Sequence, residues 1–137
     1  MTDRITFVNP ESLEKPLGYA HGARIQGGQL LYIAGQIGRD QEGNMVGPGD
    51  LVVQFRQSCE NIRDVVTAAG GQLTDVAKLN IYVLDPQEYI SKEKEIGRVY
   101  REYFGKHFPA MTLIGAGDLY PSKEGGVIEI EGVAAIP

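Results

Sequence analysis

Val76-Ala77-Lys78-Leu79-Asn80-Ile81-Tyr82-Val83-Leu84 runs directly into Asp85-Pro86-Gln87-Glu88, and the hydrophobic period changes where they meet. Through Leu84 the apolar residues alternate, with Ala77, Leu79, Ile81 and Val83 on one side. That is the pattern of a strand with one buried face. From Asp85 onward the chain offers a helix start: a capping side chain, proline in the first turn and an acid at N3. Ile96, Val99, Tyr100, Tyr103 and Phe104 then recur at helical spacing, and Gly105 ends the run.

The same alternation of periods extends in both directions. Upstream, Asp50 reads as an N-cap. Val52, Phe55, Cys59, Ile62, Val66 and Ala69 follow three or four apart, a single apolar stripe closed by Gly70-Gly71. Before that helix come Ile5 to Val8, ended by Asn9-Pro10, and then Ala23 to Gln26 and Gln29 to Ile37. The last two flank Gly27-Gly28, a two-residue hairpin signal. Asp40 to Gly49 is turn-rich and reads as a loop. Downstream, Ala110 to Ile114 and Val127 to Ala135 supply two more strands, joined by Gly115 to Gly126. The predicted order is three strands, helix, strand, helix, two strands. This is an α+β chain with a mixed β-sheet and two helices on one face. A sheet covered on one side leaves the other face bare, so self-association is expected.

The 137 residues suit one domain, here taken as 1–137, and 42% of them are apolar. No apolar run approaches the roughly 20 residues of a membrane span. Met1-Thr2-Asp3-Arg4-Ile5 shows no secretion signal, and a single cysteine allows no internal disulfide, which fits a reducing cytoplasm. The net charge is −5. Lys92, Lys94, Arg98 and Arg101 are interleaved with Glu93, Glu95 and Glu102, the pattern of a solvated helix face. Nucleic-acid binding is therefore disfavoured.

His21, His107 and Cys59 are scattered and make no metal-ligand spacing, so no metal is expected. Cys59 sits on the apolar stripe and reads as core. Gly115-Ala116-Gly117-Asp118 lacks the lysine and following helix of a phosphate loop and reads as a turn. Ser12, Ser58, Ser91 and Ser122 lie in no nucleophile elbow. His21 follows Gly18-Tyr19-Ala20. It reads as a hydrogen-bonded loop residue or as a donor at a pocket rim, and Tyr120 as an apolar lid or hydroxyl donor. Ile128-Glu129-Ile130-Glu131 puts two carboxylates on one strand face. In a shielded cleft their proximity is expected to raise one carboxyl pKa and equip that group to relay protons; on a solvated face it does nothing.

Ala34-Gly35-Gln36-Ile37, the helix with Gln57, Ser58 and Asn61-Ile62, Ala68-Ala69-Gly70, Val83-Leu84-Asp85, Tyr100 with Phe104, Phe108-Pro109-Ala110 and Ile128-Glu129-Ile130-Glu131 occur in that order. Together they resemble the reactive intermediate deaminase family (Rid, also YjgF or L-PSP) over nearly the whole chain. The resemblance implies a chorismate-mutase-like subunit, a barrel-cored homotrimer with small-molecule sites in clefts between subunits, and no cofactor. It also implies hydrolysis of reactive enamines and imines, such as 2-aminoacrylate, to keto acids and ammonia.

The family's water-handling glutamate maps onto Glu129 and its pocket tyrosine onto Tyr19. The arginine that clamps the substrate carboxylate falls on Met111, a serine preceding Gly-Gln on Ala34, and an asparagine of the second helix on Gly97. Met111 offers a soft apolar surface in place of a bidentate fork, so standard 2-aminoacrylate deamination is expected to be weak or absent. Substitutes for the cation are sought in Arg24, Arg98 and Arg101. The chain looks like an arginine-lacking subgroup with Glu129 as catalytic residue and Tyr19, His21, Ala34, Met111 and Tyr120 binding a less charged substrate. A non-catalytic metabolite-binding trimer and an L-PSP-type endoribonuclease are the alternatives.

Overall fold

A computed structural model describes residues 4–137; residues 1–3, within the segment read for a secretion signal, lie outside the described residues. Six strands form: β1 (Ile5–Val8), β2 (Gly22–Ile25), β3 (Gln29–Gln36), β4 (Val76–Val83), β5 (Ala110–Gly115) and β6 (Ile128–Ile136). Three helices accompany them: α1 (Leu51–Ala68), α2 (Pro86–Ser91) and α3 (Glu93–Phe104). The main sheet has the order β3-β6-β4-β5, antiparallel except for β4 with β5. Parallel strands need a crossover, and α2 with α3 provide it.

Alternation in β4 is realised as predicted. Leu79, Ile81 and Val83 are buried beside Ile128 and Ile130 of β6, beneath Phe55, Ile62 and Val66 of α1 and Ile96, Val99 and Phe104 of α3. Asp50 caps α1, accepting a hydrogen bond from the backbone N–H of Val53. The other sheet face is bare: Tyr32 is 75% exposed and Leu30 54%.

Two expectations need correction. The helix after Asp85 is not continuous. The Ser91 hydroxyl donates to the carbonyl of Glu88, and Lys92 leaves helical geometry with φ −112° and ψ 15°. A serine that bonds its own preceding turn competes with the helical ladder, so α2 and α3 meet at a joint. Nor do β2 and β3 form the hairpin that Gly27-Gly28 suggested. Both glycines do have positive φ, 82° and 76°. However, β2 pairs with β1 and β3 pairs with β6. The reason is at Gly28, where a Cβ would stand 2.6 Å from the carbonyl oxygen of Ile136 and against the Arg4 side chain. Arg4 crosses here to bond the Ala135 carbonyl and the buried Asp75 carboxylate at 2.8 Å. The turn therefore hands the chain from one sheet to the other.

Candidate functional site

β6 sits between β3 and β4 and carries both carboxylates onto the bare face. Glu129 stands opposite Tyr82 and Glu131 opposite Asn80 in the β4 register. The two acids have different surroundings. Glu131 Oε2 accepts hydrogen bonds from the Tyr82 hydroxyl at 2.7 Å and from Asn80 Nδ2 at 3.1 Å. Those donors, Tyr82 foremost, hold the Glu131 carboxyl below its usual range. The raised carboxyl expected of a crowded pair is thus not found at Glu131, because two donors favour its charged form. Glu129 makes no such side-chain bond to another described residue. Its carboxylate lies across Gly35, where a Cβ would come within 2.7 Å of Glu129 Cδ.

Gly35 joins Ala34 on this face through an irregularity. Ile33 pairs with Gly132 and Gln36 with Ile130, so Ala34 and Gly35 together stand opposite Glu131. Two residues facing one is a β-bulge, and it reverses the alternation beyond it. The segment after the bulge is held by α1. Ser58 Oγ donates to the Gln36 carbonyl, and Asn61 Nδ2 donates to the carbonyls of Ile37 and Arg39.

Tyr19, His21 and Met111 gather elsewhere. Ala20 forms a parallel bridge with Ala110, its N–H bonding the Pro109 carbonyl at 3.0 Å. The rings of Tyr19 and His21 meet edge to face at 5.4 Å. His21 Nε2 lies 2.7 Å from the Glu14 carbonyl, which accepts only, so Nε2 bears a proton and donates it there. Met111 is in register with Leu79 and packs on the core. Its side chain therefore lies on the helix-covered face, opposite to that of Glu129. Tyr19 lines a cleft of about 710 Å³ with Leu13, Leu17, Lys106 and Phe108. Gly35 lines a second, of about 780 Å³, with Gln36, Arg39, Gln57 and Asn61.

Tyr120 is 87% exposed on the loop before β6. That loop is pinned by an Arg39–Glu124 ion pair and by Gln54 of α1, which is wholly buried. Gln54 Nε2 donates to the carbonyls of Gly47 and Gly125, and its Oε1 accepts from the N–H of Val127.

Of the arginines considered as substitute cations, Arg98 and Arg101 lie on α3, across the sheet from Glu129, and Arg24 is an exposed residue of β2. A cation on the carboxylates' own face is Lys78, bonded to Thr112 Oγ1 at 2.9 Å. Reading the sequence alone passed over Lys78, Asn80 and Tyr82. Their period-two spacing put them together, but nothing local says that they face Glu131. Among the described residues no group of three or more His, Cys, Asp and Glu is placed to hold a metal ion, and no helix is long and apolar enough to cross a membrane. Burial pushes the Cys59 thiol up to about 12, so it stays protonated in the core.

The family model described as Endoribonuclease L-PSP matches residues 12–136. The chain belongs to the Rid/YjgF (L-PSP) family. A RutC family protein of Pyrococcus horikoshii is 36% identical over 124 residues, covering 90% of this chain and 92% of its own. Protein mmf2, mitochondrial, of Schizosaccharomyces pombe is 33% identical, covering 86% and 89%. A Yersinia pestis protein of unknown function from the conserved Rid family superposes with a TM-score of 0.84 at 29% identity, covering 97% of this chain and 99% of that one. The Rid chain described above shares the family's α+β fold, and the side chains of its Met111 and Glu129 stand on opposite faces of one sheet.

Proposed function

We propose that this Rid protein is a single-domain subunit of a cytoplasmic homotrimer that hydrolyses an imine or enamine of a small, weakly charged metabolite, without a cofactor. The observation that carries the proposal is the contrast between two neighbouring carboxylates. Glu131 is committed to Tyr82 and Asn80, whereas Glu129 accepts no side-chain hydrogen bond from another described residue. A carboxylate without fixed partners can take a proton from water and return it. Glu129 removes a proton from water as the oxygen adds to the C=N carbon. Glu129 passes that proton to the nitrogen, then takes the hydroxyl proton of the resulting carbinolamine and returns it to the nitrogen as the C–N bond breaks, C=O forms and ammonia leaves. One imine and one water yield one carbonyl compound and one ammonia.

Two further observations support an assembled site. Leu30, Tyr32 and Ile114 are exposed on the bare sheet face, an apolar area of the sort that self-association covers. Met111 lies across the sheet from Glu129, and the Tyr19–His21 loop runs beside Ala110 of β5, so a cleft using both groups draws them from two subunits. Met111 there supplies apolar contact and no clamp for a carboxylate, which favours a neutral substrate.

The test measures ammonia and carbonyl release from freshly generated imines, with 2-aminoacrylate and an imine lacking the carboxylate side by side. Wild type is expected to turn over the neutral imine, Met111→Arg to gain 2-aminoacrylate, and Glu129→Gln to lose turnover while keeping its oligomeric state. Full activity in Glu129→Gln refutes the assignment.

Met111 itself favours a second reading, a trimer that binds a metabolite without turning it over. Thermal stabilisation by a metabolite with no product would establish it. Endoribonuclease activity, the description that the family model carries, fits poorly with a net charge of −5.

A further inference from the structure

We infer that Gly35 is a positioning residue: turned onto the open face by the β3 bulge, it forms the seat in which the Glu129 carboxylate rests. The inference rests on the proposed acid/base role of Glu129 and adds what holds that group in place.

Glycine at this position is not required by the backbone. Nine glycines of the described chain have positive φ, and Gly35 is not one of them. What a side chain would meet is the acid itself, with Glu129 Cδ at 2.7 Å, Cγ at 2.9 Å and Oε2 closer still to a Cβ on residue 35. The space left by the missing methyl is thus filled by the carboxyl end of Glu129. Without the bulge, strict alternation would send residue 35 to the face of Ile33, among the buried core. One extra residue in β3 reverses the alternation and brings the glycine beneath the carboxylate.

The arrangement also separates position from stability. The atoms nearest a new methyl are the far end of a flexible, partly exposed side chain. Gly35→Ala is therefore accommodated by rotating Glu129 away, with the fold retained. A catalytic group displaced by about 1 Å loses up to roughly 100-fold in rate.

The test is a crystal structure of Gly35→Ala together with a double-mutant comparison. In the variant the Glu129 carboxylate is expected more than about 1 Å from its wild-type position, a displacement large enough to matter for catalysis. Turnover of whichever imine the wild type hydrolyses is expected to fall about 10- to 100-fold in kcat with KM little changed. Gly35→Ala/Glu129→Gln should be no slower than Glu129→Gln alone, because a residue acting only through Glu129 has nothing left to position. An unmoved carboxylate, or a double variant slower than Glu129→Gln, overturns the inference.

Should Gly35→Ala fail to fold, a nuclear Overhauser contact between the Gly35 Hα and Glu129 Hγ protons of the wild type decides the seat, and its absence overturns it. The two levels fail separately. Full activity in Glu129→Gln removes the acid/base role and leaves the seat to be judged by the crystal structure. An inactive Glu129→Gln beside a fully active Gly35→Ala removes the positioning role alone.

Discussion

Replacing Gln54 by leucine probes the pin beneath the loop that precedes Glu129. Leucine has a similar volume, so little cavity opens and the change is mainly the loss of three hydrogen bonds. They are unequal. The Gly47 carbonyl keeps a bond from the Asp50 N–H, and the Gly125 carbonyl keeps one from the Gly49 N–H, both at 2.7 Å. The Val127 N–H has Gln54 Oε1 as its partner at 2.9 Å and is left without one. An orphaned buried donor costs about 1–3 kcal/mol, and each weakened carbonyl about 0.5–1 kcal/mol. The sum is about 2–5 kcal/mol, a large part of the roughly 5–15 kcal/mol that such a chain has. Urea unfolding at fixed protein concentration, with a slope near 2 kcal/mol/M, should show the midpoint falling by about 1–2.5 M. The Val127 amide should also exchange much faster. A loss below about 1 kcal/mol with Val127 still protected would refute the reasoning, since it would mean that the loop finds other partners at little cost.

Two further outcomes follow from titrating groups. His107 is half-buried with Nε2 on the Val76 carbonyl, and desolvation lowers its pKa from the ordinary 6.5. A depressed folded-state value favours the neutral ring, so its contribution to stability is present above about 6.5 and is lost as pH falls below that. The stability difference between wild type and His107→Gln should therefore shrink as the pH of thermal melts is lowered from 7 toward 5; a gap that widens there contradicts the assignment. At Glu131, Tyr82→Phe removes the donor that contributes most to its low carboxyl pKa. A carbon-detected NMR titration should find that pKa moved up, and no movement would show that the hydroxyl does not govern it.

The site was legible in its residue types and much less so in its geometry. Ile128-Glu129-Ile130-Glu131 announces two acids on one face, and the structure places both there. That one acid is tied and the other free depends on Tyr82 and Asn80, residues some fifty positions away on β4. Strand register is fixed by the sum of core contacts, which no local stretch reveals. Gly27-Gly28 teaches the same lesson: its two positive φ values suit the hairpin signal, yet Arg4 and the end of β6 decide which strands pair.

By itself the sequence determined the elements and their faces: the alternation of Val76 to Val83, the apolar stripe and Asp50 cap of α1, the glycine stop at Gly105 and the bareness of one sheet face. These rest on periodicity and on backbone chemistry within a few residues, where the cause lies beside the effect. Tertiary structure alone decided the order β3-β6-β4-β5, the bulge that turns Gly35 toward Glu129, the placing of Met111 and Glu129 on opposite faces, and the burial of Gln54 as a pin for three backbone groups. Each depends on contacts between distant parts of the chain, whose energies are settled only when the whole core packs together.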